Sequence, residues 1–274
     1  MSEPIPELLA LAAELSAKGI DFCLVTVVRT ANATSAKAGS KAILTADGEL
    51  YGFVGGSCIL SAVRSSARNA IATGETKLIR VKPPEDDGKG YDSDGVELHQ
   101  SSCPSGGTSD LFIEPVRRIS RLVVCGASPV AAKLISLART MGYRVVASAL
   151  REDHTKLADA HDRVDGFNLT SLDLRAADAV VVATQGKRDK EALVSALATD
   201  ATYVGIVGSQ RKVSALKSQI ANMGITQERM AALHGPAGLR ISAIEPQEIA
   251  LSILAEITEK KRDGVRNHPV VTAN

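Results

Sequence analysis

The chain has no tryptophan, and phenylalanine and tyrosine together bring its aromatic content to only 3%. Its core must therefore be filled by Ala, Val, Leu and Ile. Neither sign of charge is in excess. There are 32 Lys and Arg against 31 Asp and Glu, a formal net charge of +1, which excludes a whole-protein pull toward nucleic acid or an anionic membrane. Four cysteines in 274 residues do not make a disulfide framework, and none of their spacings matches a zinc ribbon or a CxxC motif. The five histidines lack the spacing of a conventional metal cage. No apolar run reaches the roughly 18 residues needed to cross a bilayer. The opening Met1-Ser2-Glu3-Pro4 has neither the basic nor the apolar region of a signal peptide, so the expected setting is a reducing cytoplasm.

What is present is a globular composition, 45% apolar and 23% charged, long enough for one large domain or two ordinary ones. The first part mixes helix and strand signals. Ile5, Leu8, Leu9, Ala12 and Leu15 have helical spacing before Gly19, and Phe22–Val28 reads as a buried strand. Strands are predicted at Lys41–Thr45, Tyr51–Val54, Lys77–Val81 and Leu111–Val116, with a helix from Cys58 to about Thr73. Pro83 to Gly95 reads as a turn-rich surface stretch. Arg117-Arg118-Ile119-Ser120 marks the boundary.

Beyond it, strands at Leu122–Cys125, Val145–Ala149, Ala179–Ala183 and Tyr203–Val207 alternate with helical patterns. The helices are placed at Asp189–Ala198, Lys212–Asn222, Gln227–Leu233 and Pro246–Lys261, with another following Ser128. The expected fold class is α/β, an N-terminal mixed α/β domain (1–117) followed by a Rossmann-like, doubly wound parallel sheet (118–262). Residues 263–274 are expected to be a flexible tail.

Two cysteines stand out. Cys58 closes the turn Gly55-Gly56-Ser57 and opens a helix, where unpaired N–H groups and the positive dipole end favour a thiolate. Cys103 sits just before Ser105-Gly106-Gly107. Two thiols on glycine-rich loops, upstream of a nucleotide-type fold, point to a sulfur- or metal-bearing cofactor. The alternatives are a small buried hydrophobe at a turn for Cys58 and a plain loop residue for Cys103. Cys23 and Cys125 lie in apolar strands and read as inert core.

The strand–Gly126–helix junction is where a Rossmann-type fold binds phosphate on a helix N-terminus. Here it runs Gly126-x-Ser128-x-x-Ala131, keeping one of three glycines, and the following strand ends Ala147-Ser148-Ala149-Leu150-Arg151 with no acid for a ribose. Ordinary NAD(P) binding is therefore not expected. Two basic turns, Thr184-Gln185-Gly186-Lys187-Arg188 and Gly208-Ser209-Gln210-Arg211-Lys212, follow later strands and offer anion clamps; solvated surface charge is the alternative. His234 reads either as a structural residue or as one that reaches a ligand.

In order along the chain, Gly39-Ser40-Lys41, the turn ending at Cys58, Cys103 with Gly106-Gly107, Ile113-Glu114-Pro115, Gly205–Lys212, Leu233–Leu239 and Pro246–Ile257 resemble the XdhC/CoxI family. Its members are accessory proteins of xanthine dehydrogenase and carbon monoxide dehydrogenase maturation. The resemblance spans roughly residues 8–260. It implies a factor that binds molybdenum cofactor (molybdopterin, alone or in dinucleotide form), protects it, and supports its sulfuration and insertion into an apo molybdenum hydroxylase, beside a cysteine desulfurase. The factor is expected to be a non-catalytic chaperone, and a homodimer is reasonable for the family. Leu60 stands where the family carries an acid, and Ser128-Pro129 replaces its second glycine and histidine.

On that reading Cys58, with Cys103 and the glycines and serine around them (Gly55, Gly56, Ser57, Gly106, Gly107), contacts the molybdenum centre, and Cys58 is the metal ligand. Gly126, Ala127 and Ser128, with Ser209, Arg211 and Lys212, hold the phosphate. The alternatives are an NAD(P)-dependent oxidoreductase and a ligand-free Rossmann module that bridges the desulfurase and its client.

Overall fold

The computed structural model describes residues 5–32, 34–84, 90–92, 94–101 and 106–266. The chain divides into two compact units between Arg118 and Ile119.

In the first unit, helix α1 (Ile5–Ala17) precedes strands β1 (Phe22–Ala31), β2 (Lys41–Thr45) and β3 (Leu50–Gly52). Helix α2 (Ser57–Thr73) and strands β4 (Lys77–Lys82), β5 (Gly90–Tyr91), β6 (Glu97–Gln100) and β7 (Thr108–Val116) follow. The strands form one sheet in the order β3-β2-β1-β7-β4-β6-β5. All pairs are antiparallel except β4 with β6.

The period-two rule of a strand divides the core between the two helices. Cys23, Val25 and Val27 of β1 join the α2 side, and Phe22 with the half-buried Leu24 joins Leu8 and Leu15 of α1. The side of α2 that packs on the sheet is Ala62, Val63, Ala67 and Ala70. A chain poor in aromatics seats this helix through small residues, which let helix and sheet backbones approach closely. Each fully buried Val or Leu contributes about 1.5–3 kcal/mol.

The second unit contains β8 (Arg121–Cys125), α3 (Pro129–Thr140), β9 (Arg144–Ala149) and β10 (Asp162–Asp165). It continues through β11 (Ala179–Val182), α4 (Asp189–Leu197), β12 (Tyr203–Ile206) and α5 (Gln210–Ile220). α6 (Gln227–Ala231), β13 (Leu233–His234) and α7 (Pro246–Arg266) complete it. The sheet order β10-β9-β8-β11-β12-β13, parallel throughout, is the 3-2-1-4-5-6 order of a Rossmann fold. α3 and α7 cover one face, and α4 and α5 the other. β11, Ala-Val-Val-Val, is buried at every position, as a central parallel strand must be.

The expected α/β architecture is present, with local differences. β5, β6, β10 and β13 are strands that apolar patterning does not reveal: they have two to four residues, and most of those are polar. β1 runs past Val28 through a bulge to Ala31, because its ladder with β7 continues after its apolar residues end. α7 continues to Arg266, so the expected tail begins inside a helix. No helix among the described residues is long and apolar enough to cross a membrane.

Candidate functional site

In the first unit, the turn before α2 is shaped by Gly55. Its φ is +139°, and an added Cβ would lie 2.5 Å from Ile59 Cδ1, so the chain folds back onto the first turn of the helix as only glycine allows. Gly56 is the N-cap and supplies no side-chain hydrogen bond. Cys58 follows as the second helical residue, partly exposed.

Cys58, Ser61 and Ser65 share one helix stripe, and they open on a cavity of about 530 Å³ completed by Ser57, Ala62, His99 and Gln100. His99, from β6, has its Nε2 2.8 Å from Glu97 Oε1 and 3.2 Å from Ser66 Oγ. Lys77 Nζ lies 3.4 Å from the other Glu97 oxygen. Burial pushes the Glu97 carboxyl up, but the His99 hydrogen bond, the Lys77 and His99 charges and the Ser66 hydroxyl together hold it below its ordinary value. The carboxylate thus fixes the imidazole on one wall. Apart from Ala62, the lining is polar: hydroxyls, a thiol, an amide and a ring nitrogen.

The other described cysteines are of a different kind. Cys23 and Cys125 are fully buried, and burial pushes both thiols up to about 12. They are core residues, as the sequence predicts. Cys103 and Ser105 lie outside the described residues. Gly106 and Gly107 lead into β7, and the Gly106 carbonyl is 3.5 Å from Asn32 Nδ2.

In the second unit, Gly126 sits at the switch point of the sheet with φ +102°. A Cβ there would fall 2.6 Å from Thr184 Cα and 2.7 Å from Ala183 O, so the ends of β8 and β11 close on one another at this glycine. The Ser128 side chain is the N-cap of α3 and accepts from the Ala131 N–H at 3.0 Å; Ser128 itself is buried. Pro129, the first helical residue, has no N–H to offer. Two of the donors a pyrophosphate would use are therefore satisfied or missing.

Ser209 caps α5 by accepting from the Lys212 N–H at 3.3 Å. The Lys212 ammonium is 2.5 Å from Asp189 Oδ2, a buried carboxylate that also accepts from the Thr184 hydroxyl and, at 3.2 Å, from Gly186 N–H. Lys212 thus ties the turn after β12 to the turn after β11. Arg211 beside it is exposed.

His234 stacks on Tyr203, with ring centroids 4.6 Å apart and planes 12° from parallel. Its Nδ1 is 3.6 Å from Glu256 Oε1. Glu256 Oε2 accepts from Tyr203 Oη at 2.5 Å and from Gly238 N–H at 2.7 Å. Reasoning from sequence missed Glu97, His99, Asp189 and Glu256. Each has at least one partner remote in sequence, and the only local signal was the alternation Glu97-Leu98-His99-Gln100 along an unrecognised strand. Among the described residues no group of three or more His, Cys, Asp or Glu side chains is placed to cage a metal ion.

Residues 122–257 match the XdhC Rossmann domain, and residues 15–82 match the XdhC and CoxI family. The chain is 29% identical over 262 residues to the uncharacterized protein YqeB of Escherichia coli, covering 92% of this chain and 46% of that protein. It is 26% identical over 162 residues to a probable xanthine dehydrogenase component of Bacillus subtilis, covering 57% of this chain and 47% of that one. The chain therefore spans about half the length of the curated relatives it matches. A crystal structure of a xanthine dehydrogenase from Bacillus halodurans aligns over 97% of both chains, with 18% identity and a TM-score of 0.46. The chain belongs to the XdhC/CoxI family.

Proposed function

We propose that this member of the XdhC/CoxI family is a maturation factor that receives molybdenum cofactor, shields it, and supports its sulfuration and delivery to an apo molybdenum hydroxylase. The observation that carries the reading is the Cys58 cavity, a thiol, three serine hydroxyls and a carboxylate-anchored imidazole around about 530 Å³. This donor set fits a polar cargo with a soft metal–sulfur centre. When bound, the cofactor supplies the metal and its sulfur. Cys58 gives a sulfur contact, the serines and Gln100 hydrogen-bond its heteroatoms, and His99 holds or gives a proton at its ring nitrogen. Cys103 is a second thiol for the same cargo, and a cysteine desulfurase is the sulfur source.

In the second unit we assign Arg211, with Ser209, to an anionic ligand. A nicotinamide dinucleotide is not its ligand on this reading. Support comes from Pro129, from the occupied Ser128 hydroxyl, and from the lack of an acid after β9.

The test is metal analysis and pterin mass spectrometry of full-length protein purified anaerobically from a molybdenum-replete host. The wild type is expected to carry molybdenum and pterin, and Cys58→Ala to lose both while keeping its circular dichroism. A pterin-free wild type, or undiminished metal in Cys58→Ala, would overturn the assignment.

A further inference from the structure

At the carboxyl ends of β12 and β13, the position where open α/β sheets take ligands, lies a cavity of about 1080 Å³. It is separate from the Cys58 cavity, and neither Arg211 nor Lys212 lines it. His234, Glu256, Lys217, Arg240, Gln210 and the Gly238 backbone are among its walls.

The charges are arranged unevenly. Glu256 is the only acidic side chain among the described lining residues, and its oxygens are engaged by Tyr203 Oη, Gly238 N–H and His234 Nδ1. Lys217 comes from α5 and Arg240 from the loop before α7, while Lys260 on α7 is close enough, with Lys217, to disfavour a charge on His234. Two cations from different elements thus line a space whose one carboxylate is preoccupied. Glu256 faces His234 Nδ1, which leaves Nε2 as the ring atom for an occupant. A guanidinium, an ammonium and an imidazole set on different elements match the tetrahedral oxygens of a phosphate better than a planar carboxylate, which presents two oxygens in one plane. Low-dielectric walls concentrate such a field.

We infer that this cavity is a binding site for a phosphate-bearing small molecule, held by Arg240 and Lys217 and oriented by His234 on its Glu256 anchor. The inference stands independently of the cofactor reading, since it concerns other residues and needs no molybdenum.

The experiment is calorimetric titration of the full chain with two probes, inorganic pyrophosphate and AMP, at low ionic strength. Pyrophosphate alone identifies an oligophosphate site, and AMP binding identifies a nucleotide site; saturable binding of either at one per chain supports the inference. Arg240→Ala and Lys217→Ala are each expected to weaken binding about tenfold, whereas Lys133→Ala, an equal loss of charge at an exposed position of α3, leaves it unchanged. Because Arg240 is exposed, its loss does not threaten the fold. Absence of saturable binding of both probes to the wild type would overturn the site. Equal losses in all three variants would also overturn it, because they would show general charge attraction.

Discussion

Replacing Gly126 by alanine separates two explanations for the one glycine retained from the dinucleotide fingerprint. If it is there so that a ligand's phosphate can approach the backbone, alanine harms binding and leaves stability alone. The geometry says otherwise. At φ +102° a residue with a Cβ carries about 1–3 kcal/mol of backbone strain. The new carbon would also stand 2.6 Å from Thr184 Cα and 2.7 Å from Ala183 O, both backbone atoms that cannot swing aside. Forced overpacking of this kind costs about 1–3 kcal/mol more. The sum, roughly 2–6 kcal/mol, is a large share of the ~5–15 kcal/mol that holds an ordinary domain together. At about 2–4 °C per kcal/mol, the unit melts roughly 5–20 °C lower. Without tryptophan, the transition is followed by far-ultraviolet circular dichroism. Gly56→Ala is the control: φ is −75° and an added Cβ meets nothing within 4 Å, so it loses only the N-cap preference for glycine over alanine, about 1 kcal/mol or less, and melts well above Gly126→Ala. A Gly126→Ala protein melting within a degree of wild type would refute the packing argument.

Other outcomes follow from the same structure. Asp189→Asn removes the charge between Lys212 and the Thr184 turn. With Lys212 about a third exposed, the loss is about 1–2 kcal/mol in urea titration, and high salt narrows the difference. Gly55→Ala drives a carbon against Ile59, so it lowers the melting temperature of the first unit and slows Cys58 alkylation by changing the turn that presents it; an unchanged rate would count against that turn. For His234, burial depresses the folded-state pKa below its ordinary 6.5, with Glu256 opposing and Lys260 and Lys217 assisting. The unfolded chain then binds the proton more readily, so this residue's contribution is full above pH 6.5 and declines as pH falls through the folded value. A His234→Gln protein accordingly shows a flatter stability profile than wild type as pH falls below 6.5, and parallel profiles would contradict the assignment.

The architecture was largely legible because long elements announce themselves. The apolar runs of β8, β11 and β12 read as buried parallel strands, and the Ile249, Ile253, Ile257 stripe marked α7. The turn at Cys58 was equally plain, since its two glycines and the helix behind it are adjacent in sequence. The polar half of each cavity was not. Glu97 and His99 sit on a four-residue strand whose neighbour β4 is fifteen or more positions away, and Glu256 meets His234 across 22 residues and a loop. Side-chain pairing at such separations leaves no periodic trace. Ser128 shows the reverse case: as a departure from the fingerprint it was visible at once, but only the structure reveals its hydroxyl closing the cap of α3.

The bridge from Lys212 to Asp189 has a mechanical consequence. One buried carboxylate clasps the loops that leave two neighbouring strands, so the rim above them moves as a single piece. An anion that drew the ammonium toward itself would part the two loops at Asp189 Oδ2, while Oδ1 kept its hold on Thr184 and Gly186. Occupancy on one strand's exit would then be felt at the next.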